Sequence, residues 1–84
     1  MVIFVTNQSA YADMRALILT GQSPAWLSAG VLTQQQIDVL WAKGINLSVL
    51  DCAVNTANIH DMNRALSTIK EHHWGHSIWA QIHS

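Results

Sequence analysis

The run Val2-Ile3-Phe4-Val5 is apolar at every position. β-Branched and aromatic residues favour extended backbone. A strand that does not alternate with polar residues must be covered on both of its faces. In a chain of 84 residues the cover has to come from helices, and the rest of the sequence supplies them. Asn7 and Ser9 follow the run, and both are good N-cap residues. A helix is expected from about Ala10 to Thr20, with Met14, Leu17 and Ile18 on one face by i, i+3, i+4 spacing. Gly21 is its stop.

Further punctuation follows. Ser23-Pro24 reads as a cap and first helical position, opening one short turn of helix from Ala25 to Ala29 that closes at Gly30. Thr33 and Gln36 fit a capping box for a helix running to Lys43, with Ile37, Leu40 and Trp41 facing inward and Gly44 as terminator. Ile45 to Leu50 reads as a second strand. Asn58 and Asp61 can cap a third helix, from Ile59 to about His73, whose buried stripe is Ile59, Met62, Leu66 and Ile69, with Ala65 beside it. The tail admits two readings. In one, Gly75 ends the helix and Ser77 to Ile82 forms a strand; in the other, the helix runs on through Gly75 at about 1 kcal/mol relative to Ala. We take the strand. The expected fold is then a single α/β domain over residues 1–84, in the order β-α-α-β-α-β. Crossover connections make its two- to three-stranded sheet mostly parallel, with helices covering it as a small sandwich.

Charge narrows the function. Only 11% of the residues are charged while 50% are hydrophobic, against a usual charged share of about 25%. A domain this small cannot hide all of that apolar surface, so a protein partner or a second copy of the chain is expected to cover part of it. The basic residues Arg15, Lys43, Arg64 and Lys70 are scattered and form no phosphate-tracking stripe, so nucleic acid is not an expected partner. No stretch approaches the ~20 apolar residues that span a bilayer, so no membrane is expected either, and the expected location is the cytoplasm. The one cysteine, Cys52, can make no internal disulfide; its apolar neighbours suggest a buried, inert thiol.

Open α/β sheets bind ligands at the carboxyl ends of their strands. Here those ends carry Thr6, Asn7 and Ser9 after the first strand and Asp51 after the second, a candidate site for a small polar ligand. The octapeptide Val2-Ile3-Phe4-Val5-Thr6-Asn7-Gln8-Ser9 resembles the second motif of the haloacid dehalogenase phosphatases. In that family a buried strand ends in a hydroxyl, here Thr6, which holds the substrate phosphate with the adjacent amide. The resemblance covers eight of the 84 residues. Neither the Asp-x-Asp strand nor the lysine motif of the family accompanies it, so it implies no phosphoryl transfer.

His72 and His76 stand four apart, and His73, His76 and His83 would share a face of a continuous helix. Two or three imidazoles without a completing thiolate or carboxylate make no structural zinc site, so no metal or cofactor is expected. Four tryptophans are many for this length. Trp41 fits the core. Trp26, on a short turn, Trp74, beside Gly75, and Trp79 are candidate interface residues, since tryptophan is enriched where proteins bind one another. With no complete catalytic set, the expected function is non-enzymatic: a regulator, inhibitor or subunit acting through protein association and self-associating. The alternatives are a small-ligand or phosphate-binding enzyme relic using the strand ends, and a histidine metal site in the tail.

Overall fold

A computed structural model describes residues 1–73, 75 and 77–80. Their order is β1 (Val2–Val5), α1 (Gln8–Leu19), β2 (Ala25–Leu27), α2 (Gln34–Ala42), β3 (Leu47–Val49), α3 (Ile59–His72) and β4 (Ile78–Ala80). The four strands form one sheet in the order β3-β2-β1-β4, parallel at every pairing.

Handedness explains the layers. From β1 to β2 to β3 the chain steps in one direction, so right-handed crossovers put α1 and α2 on the same face. From β3 it returns across β2 and β1 to reach β4, and the same rule puts α3 on the opposite face. The core is divided accordingly. Ile3, Val5, Ala25, Leu27 and Leu47 pack with Met14 and Ile18 of α1 and Ile37 and Leu40 of α2. Val2, Phe4 and Trp26 pack with Ala65 and Ile69 of α3. Odd and even positions of β1 thus serve different cores, as the two-residue period of a strand requires. This is a small doubly wound sheet whose strand order reverses between β1 and β4.

The helix ends follow the sequence signals closely. Asn7 Oδ1 accepts from the amide of Ala10 at 2.7 Å. Thr33 and Gln36 exchange a capping box, with Thr33 Oγ1 accepting from the Gln36 amide and Gln36 Oε1 accepting from the Thr33 amide. Asn58 Oδ1 accepts from the amides of His60 and Asp61. α2 ends in a Schellman motif: the Gly44 amide reaches Trp41 O and the Ile45 amide reaches Leu40 O. That closure needs a left-handed residue at its centre, and Gly44 has φ 79°, where a side chain would be strained.

Several expectations are corrected. The segment after Ser23-Pro24 is the strand β2, not a helical turn, so the sheet has four strands and the order is β-α-β-α-β-α-β. Pro24 starts the strand: its carbonyl accepts from the Ile3 amide at 2.9 Å, and its missing N–H costs no ladder bond at a strand's first position. Trp26 is consequently 7% exposed and in the core between β1 and β3, not on a surface turn. The expected burial is reversed for two others: Trp41 is 48% exposed, and Cys52 is exposed because it lies on the loop beyond β3. Within α3, Ala65 and Ile69 are buried, but Ile59 at the first turn is exposed. β4 occupies Ile78–Ala80, within the expected strand. Its expected continuation to Ile82, and the positions of Trp74, His76 and His83, lie outside the described residues.

Candidate functional site

The carboxyl edge of the sheet is stitched together by short-range bonds. The Ser28 amide donates to Val5 O at 2.9 Å, the Leu50 amide to Leu27 O at 2.8 Å, and the Ala29 amide to Cys52 O at 3.3 Å. The Ser28 hydroxyl accepts from the Val54 amide at 2.8 Å. Ser28 is 2% exposed and joins the ends of β1 and β2 to the loop after β3. Sequence reasoning missed it, because a segment read as a helical turn places no residue at a strand end.

Of the residues singled out from sequence, three gather at the end of β1. Thr6 is 8% exposed, and its Oγ1 is buried with no hydrogen-bond partner among the described residues. A buried hydroxyl left unpaired costs about 1–3 kcal/mol. Asn7 is committed to capping α1. Ser9 lies in the first turn of that helix and is exposed. Asp51 is not with them: it follows β3, and β2 separates the two places.

Asp51 lines a pocket of its own, between the loop after β3 and the first half of α3, with a volume of about 150 Å³. Leu50, Val54 and Ala65 give it apolar walls, and Asp51, Asp61 and Arg64 bring charge of both signs to it. The loop is held in shape by its own bonds: the Asn55 amide donates to Asp61 Oδ2 at 3.3 Å and the Ala57 amide to Asn55 Oδ1 at 3.0 Å. Asp61, Arg64 and Thr68 stand at i, i+3 and i+7, one helical face. That spacing is readable in the sequence, but it takes on meaning only once the neighbouring loop is known to fold against it.

The two histidines at the end of α3 are used internally. His72 Nδ1 lies 2.9 Å from Thr68 O, and His73 Nε2 accepts from the Trp26 indole at 2.9 Å. Among the described residues, no three histidine, cysteine or carboxylate side chains are placed to share a metal ion. No helix among them is long and apolar enough to cross a membrane. Comparison of the chain with known protein families, with curated proteins and with solved structures finds no significant match to any of them.

Proposed function

We propose that this chain is a non-enzymatic interaction protein, and that it associates with a second copy of itself through the free edge of β4. The observation that carries the reading is the difference between the sheet's two edges. Along β3, residues 46, 48 and 50 turn their backbone groups toward β2, as the bonds Ala25 N to Asn46 O and Leu50 N to Leu27 O require, so Leu47 and Val49 turn theirs outward. The outward carbonyl of Leu47 is covered, accepting from the Trp41 indole at 2.9 Å. Along β4, the bond from Val2 N to Ser77 O sets the opposite alternation, leaving the backbone groups of Ile78 and Ala80 outward. No charged residue stands in Ile78–Ala80, and Trp79 is 51% exposed. Among the described residues nothing covers this edge, and uncharged, uncovered edge strands recruit further strands. The low charge of the chain leaves little repulsion to oppose it. Ile78 and Ala80 pack toward α3, so Trp79 lies on the other face of the sheet, where the ring would meet its counterpart.

The exposed single cysteine fits a reducing compartment, and we place the protein in the cytoplasm. Sedimentation equilibrium tests the association. A dimer is expected at micromolar protein, and Trp79→Lys should convert it to monomer without unfolding it. A monomer at about 100 μM rejects the reading, since only interfaces weaker than roughly −5.5 kcal/mol escape detection there.

A second reading is favoured by the buried hydroxyl of Thr6, which has no partner among the described residues, at the strand-order reversal. There a small anion such as phosphate would supply the missing partner, beside the N-terminus of α1. Amide shifts confined to residues 6–10 on addition of inorganic phosphate support it; their absence at about 10 mM, a concentration matching a binding energy of roughly −2.7 kcal/mol, rejects it.

A further inference from the structure

We infer that the pocket between the β3–α3 loop and α3 is a binding site for a small zwitterion, a free amino acid with a short aliphatic side chain. This site is at the opposite edge of the sheet from β4 and is independent of the association proposed above. Its chemistry is mixed in a way that selects a class of ligand. Asp51 and Asp61 present carboxylates to a cationic group, Arg64 presents a guanidinium to an anionic one, and Leu50, Val54 and Ala65 form an apolar wall. Among the described residues, neither the Asp51 carboxylate nor the Arg64 guanidinium has a hydrogen-bond or ion-pair partner, so both are available to a ligand. A ligand with one charge would satisfy only part of that set, whereas an α-amino acid carries both charges and an apolar group on one carbon.

Size sets the upper limit. A volume near 150 Å³ is well below the ~300 Å³ at which sites for larger ligands begin, which points to a ligand no larger than a single amino acid. The pocket is preformed: Val54 is fixed by Ser28, and Asn55 by Asp61, so little ordering is paid on binding. It also stands at the carboxyl end of a parallel strand, where α/β sheets hold their ligands.

Cys52 lines the same pocket, is exposed and is the one cysteine of the chain, so its alkylation reports occupancy. Isotope-labelled protein is titrated with leucine, with 3-methylbutylamine and with 4-methylpentanoate, the last two lacking the carboxylate and the ammonium respectively. Leucine should shift amides in residues 50–54 and 61–68 saturably and slow the reaction of Cys52 with iodoacetamide. It should bind about tenfold more tightly than either analogue, the worth of one charge-assisted hydrogen bond. Arg64→Gln should erase its advantage over the amine, and Asp51→Asn should reduce its advantage over the acid. Both positions are exposed, and an unchanged spectrum away from the pocket verifies folding. If leucine binds no better than the analogues, if its shifts fall elsewhere, or if Cys52 reacts at the same rate at saturation, the inference is overturned.

Discussion

The indole N–H of Trp26 donates to Nε2 of His73 at 2.9 Å, joining β2 to the end of α3 across 47 positions of sequence. The His72 ring also lies against Trp26, its centroid 5.2 Å away. A buried indole N–H must find a partner, and here the partner is a nitrogen that accepts only while it is unprotonated. The bond therefore fixes His73 as the neutral tautomer with its proton on Nδ1.

Removing the acceptor should break this link. His73→Phe should move the Trp26 indole resonance toward the position of a solvent-bonded indole, because the ring that replaces the imidazole offers no nitrogen to accept from it. An indole resonance unmoved by the substitution would mean that Trp26 has another acceptor.

Thr6→Val should stabilise the protein or leave it unchanged, by up to about 1 kcal/mol. The exchange preserves shape and removes a buried hydroxyl that has no partner among the described residues, so it removes a desolvation cost without removing a bond seen there. Denaturant unfolding measures this directly. A loss above about 1 kcal/mol shows that the hydroxyl is satisfied in solution.

Trp41→Ala should have an effect out of proportion to its exposure. The ring is 48% exposed, so its truncation removes the buried half of the ring as well as the donor to Leu47 O. The expected cost is about 1 kcal/mol for the bond and about 2–3 kcal/mol for the lost burial, accompanied by concentration-dependent association through the newly opened β3 edge. Light scattering that matches the parent protein would show that Trp41 does not guard that edge.

Ser28→Ala should loosen the loop after β3 while sparing the sheet. Val54 N loses its acceptor, at a cost of about 1–3 kcal/mol for a buried unpaired amide. Faster alkylation of Cys52 and faster amide exchange at residues 50–55 are the expected readouts. Equal protection in both proteins would place the loop's stability elsewhere.

Local chemistry was legible where a residue acts on its own backbone neighbours. Asn7, Thr33, Gln36, Gly44 and Asn58 announce helix ends because their bonds reach only two to four positions. β2 was not legible, because Ser23-Pro24 opens a strand as readily as a helix and three apolar residues carry no period. What makes Ala25–Leu27 extended is the pair of strands on either side, information held at Ile3 and Leu47. The same non-local cause buried Trp26. Of the candidate site, Thr6, Asn7 and Ser9 were found by position at a strand end. The partnership of Asp51 with Asp61 and Arg64 depends on how the loop after β3 folds back, which no single segment encodes.

The placement of β4 beside β1 has a consequence for how the chain matures on the ribosome. Val2 pairs with Ile78, so the two strands that meet here are separated by nearly the whole described length of the chain. β1, β2 and β3 can assemble in the order they emerge. Until Ile78–Ala80 leaves the exit tunnel, however, one side of β1 has no neighbour, and Val2 and Phe4 lack the cover that α3 brings. Closing so long a loop is slow, and an apolar strand left open meanwhile is a target for mispairing. The nascent chain therefore has an interval in which β1 is its most vulnerable segment, and holdase chaperones that bind short apolar stretches would find it there.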